Sequence, residues 1–209
     1  MMAVIINLLY IAASILFIFG IKMLGSAASA RRGNQLSSVG MLLAVVATLL
    51  YCGLSWWMVV AGVIIGSAIG AVAAIRVKMT GMPEMVALFN GFGGLASLLV
   101  GAAEFEKIRE GGIDRYLIAL QQQSGVSVPP WFALVAIGLT IFVGGVTFTG
   151  SVVAWAKLAG KMPGRAVTFA GQQIINLAVI AAALAGVVLM VVGGGENTLA
   201  LAAAIVLVV

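Results

Sequence analysis

Between residues 33 and 75 the chain carries no charged side chain. Wound as a single α-helix, that stretch would reach roughly 65 Å, about twice the hydrocarbon thickness of a bilayer. It must turn back once. The segment YCGLSWW at residues 51–57 supplies the turn, and its tyrosine and tryptophans suit the interfacial belt where aromatic side chains gather. Two antiparallel helices follow, over about 39–50 and 56–75. No soluble domain could leave that much apolar helix uncovered, and the rest of the chain has the same character: 63% of the 209 residues are hydrophobic and 8% are charged, with a mean hydropathy of +1.23. The expected fold is an all-α integral membrane protein.

The remaining spans can be read in order. Residues 4–21 are apolar and uncharged, and the first basic residue, Lys22, follows the run. A cleaved signal peptide has the opposite polarity, so this is a first spanning helix. Arg76 and Lys78 close the hairpin of helices two and three. A fourth span runs over about 83–103, opened by Pro83, whose missing N–H is not needed in a first turn. Residues 104–130 form the one polar segment of length. Phe105, Ile108, Tyr116, Leu117 and Leu120 are expected to line one side of a short surface helix there, with 124–130 as linker. A fifth span covers about 130–156 and a sixth about 167–192. The apolar residues 198–209 would make only about 18 Å of helix, so they are expected to be a truncated seventh span of a polypeptide that continues. Residues 1–209 then form one transmembrane domain.

Charge sets the orientation and excludes other classes. With the N-terminus outside, the internal loops hold Lys22, Arg31, Arg32, Arg76, Lys78, Lys157, Lys161 and Arg165, and the external ones hold Lys107, Arg109 and Arg115. Eight basic residues against three favour that arrangement. Scattered between apolar spans, they form no nucleic-acid patch. With one cysteine, Cys52, and no histidine, an internal disulfide and the usual transition-metal ligand sets are excluded.

Few side chains can carry chemistry. Glu84 falls in the first turn of helix four, where the helix dipole favours a carboxylate; it is also the one acid on the cytoplasmic side, placed to exchange a proton at the mouth of a path or to meet a cytoplasmic domain. Asn90 lies six residues on, roughly 9 Å deeper. It is either an amide bonding a neighbouring helix or a polar station in a water-filled or proton-conducting path. Thr147, Thr149 and Ser151 on helix five and Asn176 on helix six could face the same interior, although such hydroxyls often bond their own backbone. Gly91-Phe92-Gly93-Gly94-Leu95-Ala96 imitates a dinucleotide fingerprint, but that motif needs a preceding strand and accessible phosphates. Close helix packing is the better account of Gly91, Gly93 and Gly94, as it is of Gly62, Gly66 and Gly70, which share one face of helix three. On the residues alone, a solute or ion carrier or channel explains the helices as well as a proton path does. A structural anchor gives no reason for a polar centre in helix four.

Three segments carry a resemblance: YIAASILFIFGIKMLGSAASARRGN (10–34), MPEMVALFNGFGGLASLLVG (82–101) and GGVTFTGSVVAWAKLAGKM (144–162). Together they closely resemble, in order, the membrane part of the beta subunit of proton-translocating NAD(P) transhydrogenase. The resemblance implies a bacterial cytoplasmic-membrane enzyme whose cytoplasmic domains pass hydride from NADH to NADP+ while protons move inward. It further implies an alpha-subunit partner carrying the NAD(H)-binding domain, two copies of the membrane unit set in lipid, and an NADP(H)-binding domain beyond Val209. This segment would bind neither nucleotide. Many relatives have a histidine, taken as a proton-relay group, where this chain has Asn90, and asparagine does not titrate. The resemblance then implies that the ionisable relay comes from the alpha subunit's helices, with Asn90 and Ser151 holding water beside it.

Overall fold

A computed structural model describes residues 2–51, 56–166 and 168–193. Among them the chain is helical throughout: α1 (Met2–Leu24), α2 (Ala30–Tyr51), α3 (Trp56–Arg76), α4 (Met82–Gly111), α5 (Ile113–Ser124), α6 (Pro130–Leu158) and α7 (Gln172–Val192), with a 3₁₀ turn at Met79–Gly81 before α4. All but α5 are long and apolar enough to cross a membrane. The chain is a multi-pass membrane protein. Residues 52–55 of the expected turn at 51–57, and the expected seventh span, lie outside the described residues.

The helices divide into two units, Met1–Gly70 and Ala71–Val209. The first is built on an α1–α2 hairpin. Glycines let the two backbones meet: a Cβ at Gly33 would fall 2.7 Å from the Gly20 carbonyl oxygen, and one at Gly40 would fall 3.0 Å from that of Ala13. Ile6, Ala13 and Ala47 are buried along the seam, and the Tyr10 hydroxyl shares a 2.8 Å hydrogen bond with that of Thr48. Helix α2 begins at Ala30, nine residues ahead of the expected position. The Ser29 hydroxyl donates to the Met23 carbonyl oxygen at 2.7 Å, and the Gly33 N–H reaches the Ser29 oxygen at 2.9 Å, so helical bonding starts straight after the turn. Arg31 and Arg32 are exposed in that first turn. Helix α3 buries none of its residues within the chain.

In the second unit α4 and α6 pack along most of their length, with α7 against α6. The contact depends on small residues in both helices. A Cβ on Gly94 would sit 2.7 Å from the Gly144 oxygen and from the Phe148 nitrogen, and one on Gly144 would sit 2.6 Å from the Leu98 nitrogen. Above this contact Leu98, Phe105, Ile108, Leu134, Ile137, Ile141 and Met190 make the core. Phe105 and Ile108 therefore do not belong to a separate surface helix, as expected from sequence. They are buried residues of α4, which runs eight residues past the expected end at Ala103. The ion pairs Glu104–Lys107, at 2.6 Å, and Glu106–Arg109 put charge on the outer side of that extension, so it can continue beyond the apolar span. It stops at Gly112, whose φ of +78° turns the chain into α5. Helix α7 starts at Gln172, later than the expected 167, after Gly171 at φ +82°.

Candidate functional site: a polar bridge between α4 and α6

One turn before the Gly94 contact, α4 presents Asn90. Across from it α6 presents Ser151, and the Asn90 Nδ2 donates to the Ser151 Oγ at 2.8 Å. Gly91 allows the close approach: a Cβ there would lie 3.1 Å from the Ser151 Cβ, so that even an alanine would need Ser151 to give by a few tenths of an ångström. Ser151 is 7% exposed and is the buried polar side chain among the described residues. Such a bridge between membrane helices is worth about 0.6 kcal/mol, close to thermal energy. It can open and close without a large input.

Two clefts run from this bridge in opposite directions along α4 and α6. One, of about 600 Å³, extends towards the Gly111 end of α4 and is lined by Asn90, Gly93, Ser97, Thr140 and Thr147 among others. The second, of about 570 Å³, extends towards the Met82 end and is lined by Met82, Pro83, Val86, Ala87, Asn90, Gly150, Ser151 and Ala154. Asn90 alone lines both. Its side chain stands where the clefts meet. The Oδ1 acceptor of its amide and the hydroxyl proton of Ser151 remain for water after the bridge is made.

Of the polar residues singled out in the sequence, the fold brings Asn90, Ser151 and Thr147 together. Glu84 is half-buried in the first turn of α4, beside the Met82–Pro83 rim of the second cleft but not in its lining. Asn176 is exposed on α7 and lines neither cleft. Thr149 donates to the Gly145 carbonyl oxygen at 3.1 Å, within its own helix. The glycines divide similarly. Gly91 and Gly94 lie against α6, whereas a Cβ on Gly93, Gly62, Gly66 or Gly70 would meet nothing within 4 Å. Gly93 faces the first cleft, and the α3 glycines have no packing partner among the described residues. The fingerprint-like segment 91–96 lies inside α4, where helical bonding occupies its N–H groups.

Two cleft residues, Ser97 and Thr140, are absent from the sequence reading. The signal was available. Ser97 follows Asn90 by seven residues and Thr140 precedes Thr147 by seven, and two helical turns return a side chain to the same face.

At the far end of α6 the Lys161 ammonium sits 4.2 Å from the centre of the Trp155 ring. Lys157, Lys161 and Arg165 thus gather at the same end of the unit as Met82 and Pro83, and Glu104, Glu106, Glu110 and Asp114 at the other.

Comparison with known proteins identifies the family. The chain matches the profile of the NAD(P) transhydrogenase beta subunit over residues 6–209. It is 38% identical over 166 residues to the NAD(P) transhydrogenase subunit beta of Rhodospirillum rubrum, and equally to that of a designated strain of the species. These matches cover 78% of this chain and 33% of each relative, so the chain spans about a third of the length of the curated relatives it matches. An all-helical multi-pass protein matched over nearly its whole length, it belongs to the NAD(P) transhydrogenase beta subunit family.

Proposed function

We propose that this chain is the membrane proton path of a proton-translocating NAD(P) transhydrogenase, in which inward proton movement is coupled to hydride transfer from NADH to NADP+. The observation that carries the reading is the Asn90–Ser151 bridge at the meeting point of two clefts. A proton must cross the apolar span on polar groups or water, and intramembrane polar side chains ordinarily mark such routes. Family membership supports the redox part of this reading; the bridge marks the place where the two clefts meet.

In this reading the chain is set in a bacterial cytoplasmic membrane with its N-terminus outside. The alpha subunit adds membrane helices and the NAD(H)-binding domain, and a domain following this segment binds NADP(H). Two such units assemble. NADP(H) binding and redox state bias which cleft is open, since a ligand shifts a two-state element only through its differential affinity for the two states. Asn90 does not titrate. It holds water at the bridge and passes the proton to an ionisable group from the partner's helices, while Glu84 serves the cytoplasmic mouth and Thr147 the opposite cleft. Asn176 contributes if partner helices complete the wall beside α7.

The test uses the complete complex in proteoliposomes and follows hydride transfer from NADH to an NADP+ analogue together with internal pH. Asn90→Leu removes the amide and keeps the volume. Both signals should fall by about tenfold or more, equivalent to about 1.4 kcal/mol on the barrier. If both are untouched, Asn90 is a packing amide and the path lies elsewhere. If the unaltered complex moves a solute or ion and transfers no hydride, the chain is a carrier.

A further inference from the structure

The two clefts differ in chemistry. The one towards the Gly111 end contains Ser97, Thr140 and Thr147 in addition to Asn90. Ser97 donates to the Gly93 carbonyl oxygen at 3.1 Å and Thr140 to the Ala136 oxygen at 2.7 Å. Each hydroxyl proton is thereby satisfied within its own helix, and the oxygen keeps lone pairs for water in the cleft. A water occupies about 30 Å³ and needs two to four polar partners, so a space of about 600 Å³ with four polar side chains can hold a connected file.

The other cleft is nearly as large but apolar. Met82, Pro83, Val86, Ala87 and Ala154 offer water no side-chain partner, and its two polar residues, Asn90 and Ser151, stand together at the bridge end of the cleft. Apolar constrictions gate by losing their water. The basic residues around this end, Arg76, Lys78, Lys157, Lys161 and Arg165, mark it as cytoplasmic.

We propose that Ser97 and Thr140 are water-positioning residues of a permanently wet outer half-path, and that the apolar inner half is the gate, wetting only in one nucleotide state of the enzyme. The inference rests on the proton-path reading above and narrows it: nucleotide state opens and closes only the inner cleft, and Ser97 and Thr140 keep the outer one wet. Opening of the Asn90–Ser151 bridge releases one more donor, on Asn90 Nδ2, and one more acceptor, on Ser151 Oγ, at the bottom of the inner cleft. Water entering there then has partners that the apolar rim does not offer. Rupture of the bridge and wetting of the gate are the same event.

Two glycines permit a direct test. Gly93 lines the outer cleft and Gly150 the inner one, and a Cβ on either meets nothing within 4 Å. In the complete complex with Cys52→Ser, Gly93→Cys and Gly150→Cys are each exposed to a membrane-impermeant cationic methanethiosulfonate, in right-side-out and inverted vesicles, with and without NADP(H). The expected result is that Gly93→Cys reacts from outside in every condition. Gly150→Cys reacts from the cytoplasmic side, with a rate that changes at least about tenfold between nucleotide conditions, or about 1.4 kcal/mol in gate population. An unreactive Gly93→Cys would overturn the proposal, as would a Gly150→Cys equally reactive in every condition.

A second measurement keeps the hydroxyls themselves at risk. Ser97→Ala with Thr140→Val should lower proton-coupled hydride transfer by about tenfold and slow modification of Gly93→Cys, while leaving NADP(H) binding unchanged. Unchanged modification would remove Ser97 and Thr140 from the path. These labelling rates are independent of the Asn90→Leu result. A wet outer cleft alongside an indifferent Asn90 would refute the proton path alone, and a dry outer cleft alongside a sensitive Asn90 would refute only the half-path assignment.

Discussion

Gly93 and Gly94 are neighbours in sequence with opposite surroundings. A methyl group on Gly93 would enter the open cleft, whereas on Gly94 it would drive into backbone atoms of Gly144 and Phe148 at 2.7 Å. Neither obstacle is the end of a flexible side chain, so α4 and α6 would have to move apart. Gly94→Ala should therefore lose about 1–3 kcal/mol, the usual range for forced overpacking, and Gly93→Ala should be neutral or gain up to about 1 kcal/mol from the better helix propensity of alanine. Thermal unfolding of the two variants in the same detergent measures the difference. Equal midpoints would mean that α4 and α6 are not held at this separation. The contrast also shows why a glycine cluster is only partly legible in sequence. All of Gly91, Gly93 and Gly94 were expected to serve packing, yet a rotation of about 100° per residue sends Gly93 away from the contact that Gly94 makes.

At the scale of elements the corner between α4 and α5 is the clearest departure from the sequence pattern. Apolar spacing places Phe105, Ile108, Tyr116, Leu117 and Leu120 on one face, and that periodicity is real. It does not distinguish one helix from two, because the break is made by Gly112 at φ +78° and not by a loss of helical spacing. Six spanning helices were legible because each is a long apolar run. Their ends were less so, since α2 and α4 continue past their apolar runs on local bonds and ion pairs. Tyr116 gives the corner a measurable signature. Burial, helped by the nearby Glu104 carboxylate, pushes its phenol up to about 12. An unfolded tyrosine ionises near about 10, so the folded corner holds the proton more tightly. Its contribution to stability is complete below about pH 10 and is lost as pH rises from about 10 to about 12. Tyr116→Phe should flatten stability over that window relative to the unaltered protein, and a difference ultraviolet titration should show a late-ionising tyrosine that the variant lacks. A tyrosine titrating near 10 at this position would mean that α5 does not cover the end of α4.

For the whole molecule, the distribution of charge gives the direction in which the clefts are expected to face. The second unit carries Arg76, Lys78, Lys157, Lys161 and Arg165, with Glu84, at the end where the apolar cleft opens, and Glu104, Glu106, Glu110 and Asp114, interleaved with Lys107, Arg109 and Arg115, at the end where the hydroxyl-lined cleft opens. Pairing between Asn90 and Ser151 could be suspected from an amide and a hydroxyl on two polar-centred helices, but their register could not, because it depends on the Gly94–Gly144 contact. Direction, by contrast, is an expectation that rests on the basic residues alone. Acidic residues contribute little to membrane orientation, whereas short loops rich in lysine and arginine stay inside. The loop joining α6 and α7 carries three of the eight basic residues expected on the cytoplasmic side. Changing Lys157, Lys161 and Arg165 together to glutamine leaves five against three and weakens the bias where α6 and α7 must be held. A reporter enzyme active only outside the cytoplasm, inserted near residue 164, should be silent in the unaltered protein and gain activity in the triple variant. Activity in the unaltered protein would reverse the orientation, making the apolar cleft the outer one and moving the gate to the opposite face of the membrane.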